Sequence, residues 1–240
     1  MVKLQSIAMP NKKKQLNQPK QERTQKRMEK VVQTTEHMLL TQGIEAISIP
    51  EVAKQSGVPR TSIYQFFPSN HDLLRHIGLL HLNELIEELS RTALEILIQH
   101  QGASPEKYGV LLTAAMIKST AQFYNQSEIA SLIILSGPYT RQAYIEYQIE
   151  LQKVSQSIRK ALHLIEIDTY LPQHPDCLTI LIELVLTCMK HGYYQDNLIS
   201  REICQEAYRI AISYLVAIRS QAFQLFEEDE DVSTEHEQHA

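Results

Sequence analysis

The feature that most constrains this chain is the spacing of its apolar residues. From Met28 to Ile218 they recur at i, i+3 and i+4, and alternating β-branched runs are few, so the reading is helical throughout. Turn and capping residues divide the pattern. Met28, Val31, Val32, Met38 and Leu39 line one face of a first helix that stops before Gly43. Ser48 can cap a short second helix with Pro50 in its first turn, and Gly57 closes it. A third runs from about Pro59 to Phe67, stopped by Pro68, and a long fourth runs from Leu73 to about His100. Ser104-Pro105 opens a fifth that reaches the region of Tyr124. Helices over Ser127–Ser136 and Tyr139–Leu164 follow, then a loop at Pro172–Pro175. Two last helices, about 176–194 and 200–222, carry Leu181, Val185, Cys188 and Met189, and Cys204, Ala207, Ala211, Tyr214 and Ile218. The expected fold is all-α with about nine helices, and the 240 residues are enough for one medium domain or two small ones.

Several functions are excluded by what the sequence lacks. Seven dispersed glycines permit neither G-x-G-x-x-G nor a P-loop. No apolar run reaches the roughly 18–20 residues that span a bilayer, and the N-terminus has no secretory pattern. Cys177, Cys188 and Cys204 form no C-x-x-C pair, which suggests a reducing compartment and buried, inert thiols. His71, His76 and His81 are five apart, so their rings rotate off a common helical face; no metal site is expected. No G-x-S-x-G or H-E-x-x-H occurs, and no enzyme or cofactor is expected. The expected location is the cytoplasm.

The net charge of −5 conceals an asymmetry. Residues 1–30 hold nine Lys or Arg against Glu22 and Glu29, whereas residues 221–240 hold seven acids and no Lys or Arg. A basic N-terminal arm suggests an anionic partner. Polar composition with Pro10 and Pro19 makes residues 1–22 an expected disordered arm, and residues 224–240 an expected disordered acidic tail.

Residues 48–67 carry the chemistry. Two short helices can cross at a steep angle if a small residue lies at the crossing, a residue tolerant of positive φ lies in the turn, and an apolar residue seals the angle. Ala53, Gly57 and Ile63 meet these needs at relative spacings 0, +4 and +10, and Val52, Val58 and Phe66 or Phe67 complete the small core. Arg60, Thr61, Ser62, Tyr64 and Gln65 then point away from it. No acid lies between Lys54 and Phe67, and these side chains suit base edges and phosphates in a major groove. Lys54 and Arg60 are balanced by Glu45 and Glu51 over residues 43–70, so the phosphate attraction falls to the arm: Lys12, Lys13, Lys14, Lys20 and Arg23, with Arg27 just beyond.

In Gly43, Ser48-Ile49-Pro50-Glu51-Val52-Ala53, Ser56-Gly57-Val58, Ser62-Ile63-Tyr64-Gln65-Phe66-Phe67 and Asp72-Leu73-Leu74, the chain resembles the TetR (tetracycline-repressor) family of bacterial transcription factors. The resemblance covers about residues 25–80. It implies a three-helix helix-turn-helix DNA-binding domain at 23–70, a connecting helix at 71–100, and an effector-binding and dimerisation domain at 101–223. It further implies that Arg60, Thr61, Ser62 and Tyr64 on a recognition helix touch operator DNA and that Ser48 bonds a phosphate. The helices at 176–194 and 200–222 would pair with those of a second copy. A small-molecule effector would shift the long fourth helix and release the operator. Two positions depart from the family pattern: Asn70 stands where Lys is usual, and Pro59 where Ser is common. Tyr108, Met116, Phe123, Tyr124, Tyr139, Tyr144 and Tyr147 are the candidate lining of an effector pocket, with packing inside the core as the alternative. An architectural DNA-binding protein without an effector, and a helical ligand-binding or catalytic domain, are the other readings.

Overall fold

The computed structural model describes residues 18–135, 141–163 and 171–220. Lys12, Lys13, Lys14, Tyr139 and the acidic tail at 224–240 lie outside the described residues. Among those described there are nine α-helices and no named strand: α1 (Gln18–Gln42), α2 (Ile49–Ser56), α3 (Arg60–Phe66), α4 (Asn70–Gln99), α5 (Pro105–Gln126), α6 (Glu128–Ala130), α7 (Arg141–His163), α8 (Cys177–Asp196) and α9 (Arg201–Ser220). A 3₁₀ turn at Ile44–Ala46 follows α1, and a π-helical turn at Ser131–Leu135 continues α6. No helix among the described residues is long and apolar enough to cross a membrane. The chain divides into two compact units between His81 and Leu82, and α4 runs through that boundary.

In the first unit, α1 begins earlier than the composition of its start suggests. Residues 18–22, expected in the disordered arm, are helical. Pro19 falls in the first turn, where a missing N–H removes no helical bond, and good helix formers follow it. Val31, Met38 and Leu39 of α1 are buried with Ile49, Val52, Val58, Ile63, Phe67, Leu73 and Ile77. Thr35 is also buried on that face, and its hydroxyl donates to the Val31 carbonyl at 2.8 Å, so no polar atom is stranded in the apolar stripe. Ser69 starts α4: its Oγ accepts from the Asp72 amide at 3.1 Å and donates to the Asp72 carboxylate at 2.7 Å. His81 of α4 meets Glu36 of α1 at 3.1 Å.

The second unit is built on the antiparallel pair α8–α9. Leu178, Leu181 and Met189 of α8 are buried with Ala207 and Ala211 of α9, Ile117, Ala121 and Tyr124 of α5, and Leu85 and Leu89 of α4. The stripes read as facing a second copy therefore pack mainly inside the subunit, because α8 and α9 use them against each other and against α5. A smaller cluster joins Ala93, Leu112, Leu162, Leu171 and Cys177. Gly192 does not mark the end of α8. It is buried within the helix, and the left-handed cap is Asn197 at φ 52°. Asn125 ties the connection to α5, since its side chain donates to the Ile199 carbonyl at 2.9 Å and accepts from the Ile199 amide at 2.8 Å.

Candidate nucleic-acid interface

The helix-turn-helix forms as its residue types require. Ser48 caps α2 by accepting from the Glu51 amide at 3.4 Å, which leaves its hydroxyl proton able to donate outward. Gly57 ends α2 at φ 66°, a conformation that costs other residues about 1–2 kcal/mol. Ser56 closes the turn by accepting from the Val58 amide at 3.2 Å. Pro59 offers no side-chain cap to α3; the amides of Ser62 and Ile63 bond to its carbonyl at 2.9 and 3.1 Å. Val52, Ala53, Val58, Ile63 and Phe67 are all buried, as their spacing predicts. Phe66 is half-buried, with its ring edge-on to Phe67 at 6.3 Å.

That packing turns one face of α3 outward. Arg60, Thr61, Tyr64 and Gln65 are exposed, and Ser62 is half-buried at the edge of the face. Arg27 of α1 donates to the Ser62 hydroxyl at 3.5 Å and to the Arg23 carbonyl at 3.2 Å. Lys30, one helical turn further along α1, brings its Nζ near the turn: a β-carbon at Gly57 would lie 3.9 Å from it. Two α1 cations thus stand near the helix-turn-helix, Arg27 at the edge of α3 and Lys30 at the turn that precedes it. Lys54, by contrast, is drawn to Glu51 at 3.5 Å. The positive charge close to α3 therefore comes from α1 as well as from Arg60, a contribution missed when the helix-turn-helix residues are counted alone.

These observations agree with the comparisons. Residues 31–77 match the model for bacterial regulatory proteins of the tetR family. Residues 31–77 therefore carry a segment of the kind found in tetR-family regulatory proteins, spanning the end of α1, α2, α3 and the start of α4. The chain is similar to an uncharacterised HTH-type transcriptional regulator, YxaF of Bacillus subtilis, with 25% identity over 100 residues. That match takes in 42% of this chain and about half (48%) of YxaF. Its fold is similar to a TetR-family regulator from Streptomyces coelicolor, with a TM-score of 0.56 at 14% identity, covering 80% of this chain and 99% of that one. It is also similar to SmeT in a complex with triclosan, with a TM-score of 0.51 at 16% identity, covering 80% and 90%.

Within that segment, Asn70 has a role that its sequence position does not announce. Its Oδ1 accepts from the Ile49 amide at 2.9 Å, so the start of α2 is capped twice, by Ser48 and by Asn70. A lysine there could not accept that bond. The histidines are also dispersed among separate contacts. His76 packs on Phe67 with ring centroids 5.2 Å apart, and burial, helped by Arg75, lowers its affinity for a proton. No group of three His, Cys, Asp or Glu among the described residues could hold a metal. The three cysteines are free, and burial raises each of them above the usual thiol range.

The candidate effector residues fall in different surroundings. Tyr108 is buried and its hydroxyl donates to the Leu97 carbonyl at 3.4 Å, which makes it a tie between α5 and the end of α4. Met116 touches both apolar clusters. Phe123 instead packs with Tyr124, Tyr147 is half-buried on α7, and Tyr144, 47% exposed, stands in solvent rather than in a pocket. Phe123 meets Tyr124 edge-on at 5.7 Å. Burial, then the neighbouring Glu183 carboxylate and Tyr144, push the Tyr147 phenol far up. Burial, then Tyr147, do the same to Tyr124.

Proposed function

We propose that this chain is a sequence-specific DNA-binding transcriptional regulator of the bacterial cytoplasm, a repressor that a small-molecule effector releases from its operator. The observation that carries the reading is the outward face of α3. Arg60, Thr61, Tyr64 and Gln65 stand in solvent while Ile63 and Phe67 anchor the opposite side. Such a helix fits a major groove, with Arg60 able to fork onto guanine. Ser48, Arg27 and Lys30 flank it as phosphate contacts, and Ser62 serves the interface by holding Arg27.

One readout helix gains specificity when two copies read half-sites about 35 Å apart. The second copy docks through α8 and α9 on the sides left exposed, where Leu184, Tyr194, Ile210 and Val216 stand in solvent. The effector binds the second unit and acts through α4, which both units share. The triclosan carried by SmeT supports a small apolar effector in a protein of similar fold.

Footprinting on the DNA upstream of the chain's own gene tests the reading: a protected, two-fold symmetric site is expected, and an absence of sequence-selective protection contradicts it. Deleting residues 1–17 removes Lys3, Lys12, Lys13 and Lys14 and leaves α1 whole. If each neutralises one phosphate, the slope of log affinity against log salt falls by about 3–4. An unchanged slope rules the arm out as a DNA contact.

A further inference from the structure

The helix-turn-helix exposes two glutamines, and their surroundings differ. Gln55 of α2 is committed to its neighbours: its Nε2 donates to Glu51 Oε1 at 3.1 Å, and it exchanges hydrogen bonds with Gln42 of α1 at 3.5 Å. Gln65 of α3 is exposed and, among the described residues, has no hydrogen-bond or ionic partner. Placing Gln55 against a base would cost the hydrogen bonds it already makes, whereas Gln65 has none to lose. Helical geometry then fixes where Gln65 points. At about 100° per residue, Thr61 and Gln65 each lie about 160° from Ile63, one on either side of the direction opposite it. Ile63 is fully buried, so this pair forms the crest of α3 that meets a groove floor first. Tyr64 and Arg60 stand on one flank, about 100° and 60° from Ile63. Ser62, on the other flank, is half-buried and bonded to Arg27. Of the crest pair, Thr61 is short and lets the helix come close, while Gln65 carries a donor and an acceptor side by side at its tip.

We propose that Gln65 is a specificity-determining residue that reads an adenine in the major groove of the operator. Its Oε1 accepts from adenine N6 while its Nε2 donates to adenine N7. In the major groove only adenine presents a donor beside an acceptor. Guanine offers two acceptors, cytosine a donor alone, and thymine an acceptor beside a methyl group. An amide can satisfy both of its halves on adenine and leaves one unpaired on the others, which is the source of the discrimination. This inference rests on the DNA-binding reading above and names what that site reads.

The test is selection of duplexes from a random-sequence pool by the full chain and by its Gln65→Ala and Gln65→Glu variants, followed by affinity measurements at fixed salt. Gln65 is exposed, so both variants should melt with the parent. The parent should enrich an adenine at one position of the site. Changing that A·T pair to G·C should weaken the parent about five- to 150-fold and leave Gln65→Ala indifferent. Gln65→Glu, which can only accept, should move that position to cytosine and leave the other positions as they were. Replacing the adenine by 7-deazaadenine removes the N7 acceptor and keeps N6, and should weaken the parent about two- to tenfold without affecting Gln65→Ala. Loss of affinity by Gln65→Ala that is equal for selected and unselected duplexes marks a phosphate contact and overturns the proposal. So does selection by either variant of the same sequence as the parent, or a shift at positions other than an adenine. A parent that enriches no sequence contradicts the DNA-binding reading itself; a clear selected site that ignores Gln65 overturns this inference alone.

Discussion

Between α2 and α3, Gly57 stands in a turn at φ 66°, and only the end of the Lys30 side chain would meet a β-carbon built on it. Within α8, Gly192 has ordinary helical neighbours, but a β-carbon there would lie 2.8 Å from Ile203 Cγ1 and 3.3 Å from its Cγ2. The two helix pairs, α2–α3 and α8–α9, thus need glycine for opposite reasons. The first needs a backbone conformation, the second an absent side chain. What the pair teaches is that the recognition module is organised by local chain geometry, whereas the larger unit is organised by close approach of elements distant in sequence.

Variants that break this contrast can be ordered by size of effect. The largest is Ile63→Ala. Ile63 is fully buried where α3 is anchored, and its truncation should destabilise the first unit by about 3 kcal/mol in denaturant unfolding. Substitution at the two glycines should come next, with opposite rankings. At 192, Ala should cost about 1–2 kcal/mol, since crowding of Ile203 exceeds the helix-propensity gain, and Asn more. At 57, Ala should cost about 1 kcal/mol and Asn less, because Asn tolerates positive φ. Thermal melting of the four variants checks the reversal; the same ranking at both sites would remove the distinction. The smallest effect is that of Asn70→Ala, about 1 kcal/mol or less from loss of the second α2 cap, and Asn70→Lys should not restore it.

That contrast also explains what could be read from the sequence. Ala53, Gly57 and Ile63 lie within eleven residues and act through one turn, so their spacing alone implied the geometry now seen. The Ser48 and Ser104 caps are equally local, and both accept the expected amide. Gly192 was not legible, because its reason is Ile203, on a different helix. Asn70 was read only as a departure from a usual lysine, because the amide that it caps lies 21 residues away. The α8 and α9 stripes followed helical spacing, but spacing does not say which partner covers a face; α5 and the mutual packing of α8 and α9 cover these. Tyr124 was one aromatic among seven candidates. Only the surrounding leucines and a buried hydroxyl with no hydrogen-bond partner among the described residues set it apart.

The most direct test of the account is the affinity of the Arg60→Ala, Thr61→Ala, Tyr64→Ala triple variant for a duplex that the wild-type chain has selected from a random-sequence pool. All three side chains are exposed, so the melting temperature should be unchanged, while affinity for the selected duplex should fall about a hundredfold or more, toward that for unselected DNA. A well-folded triple variant that binds the selected duplex as tightly as the parent would contradict the assignment of α3 as the reading helix.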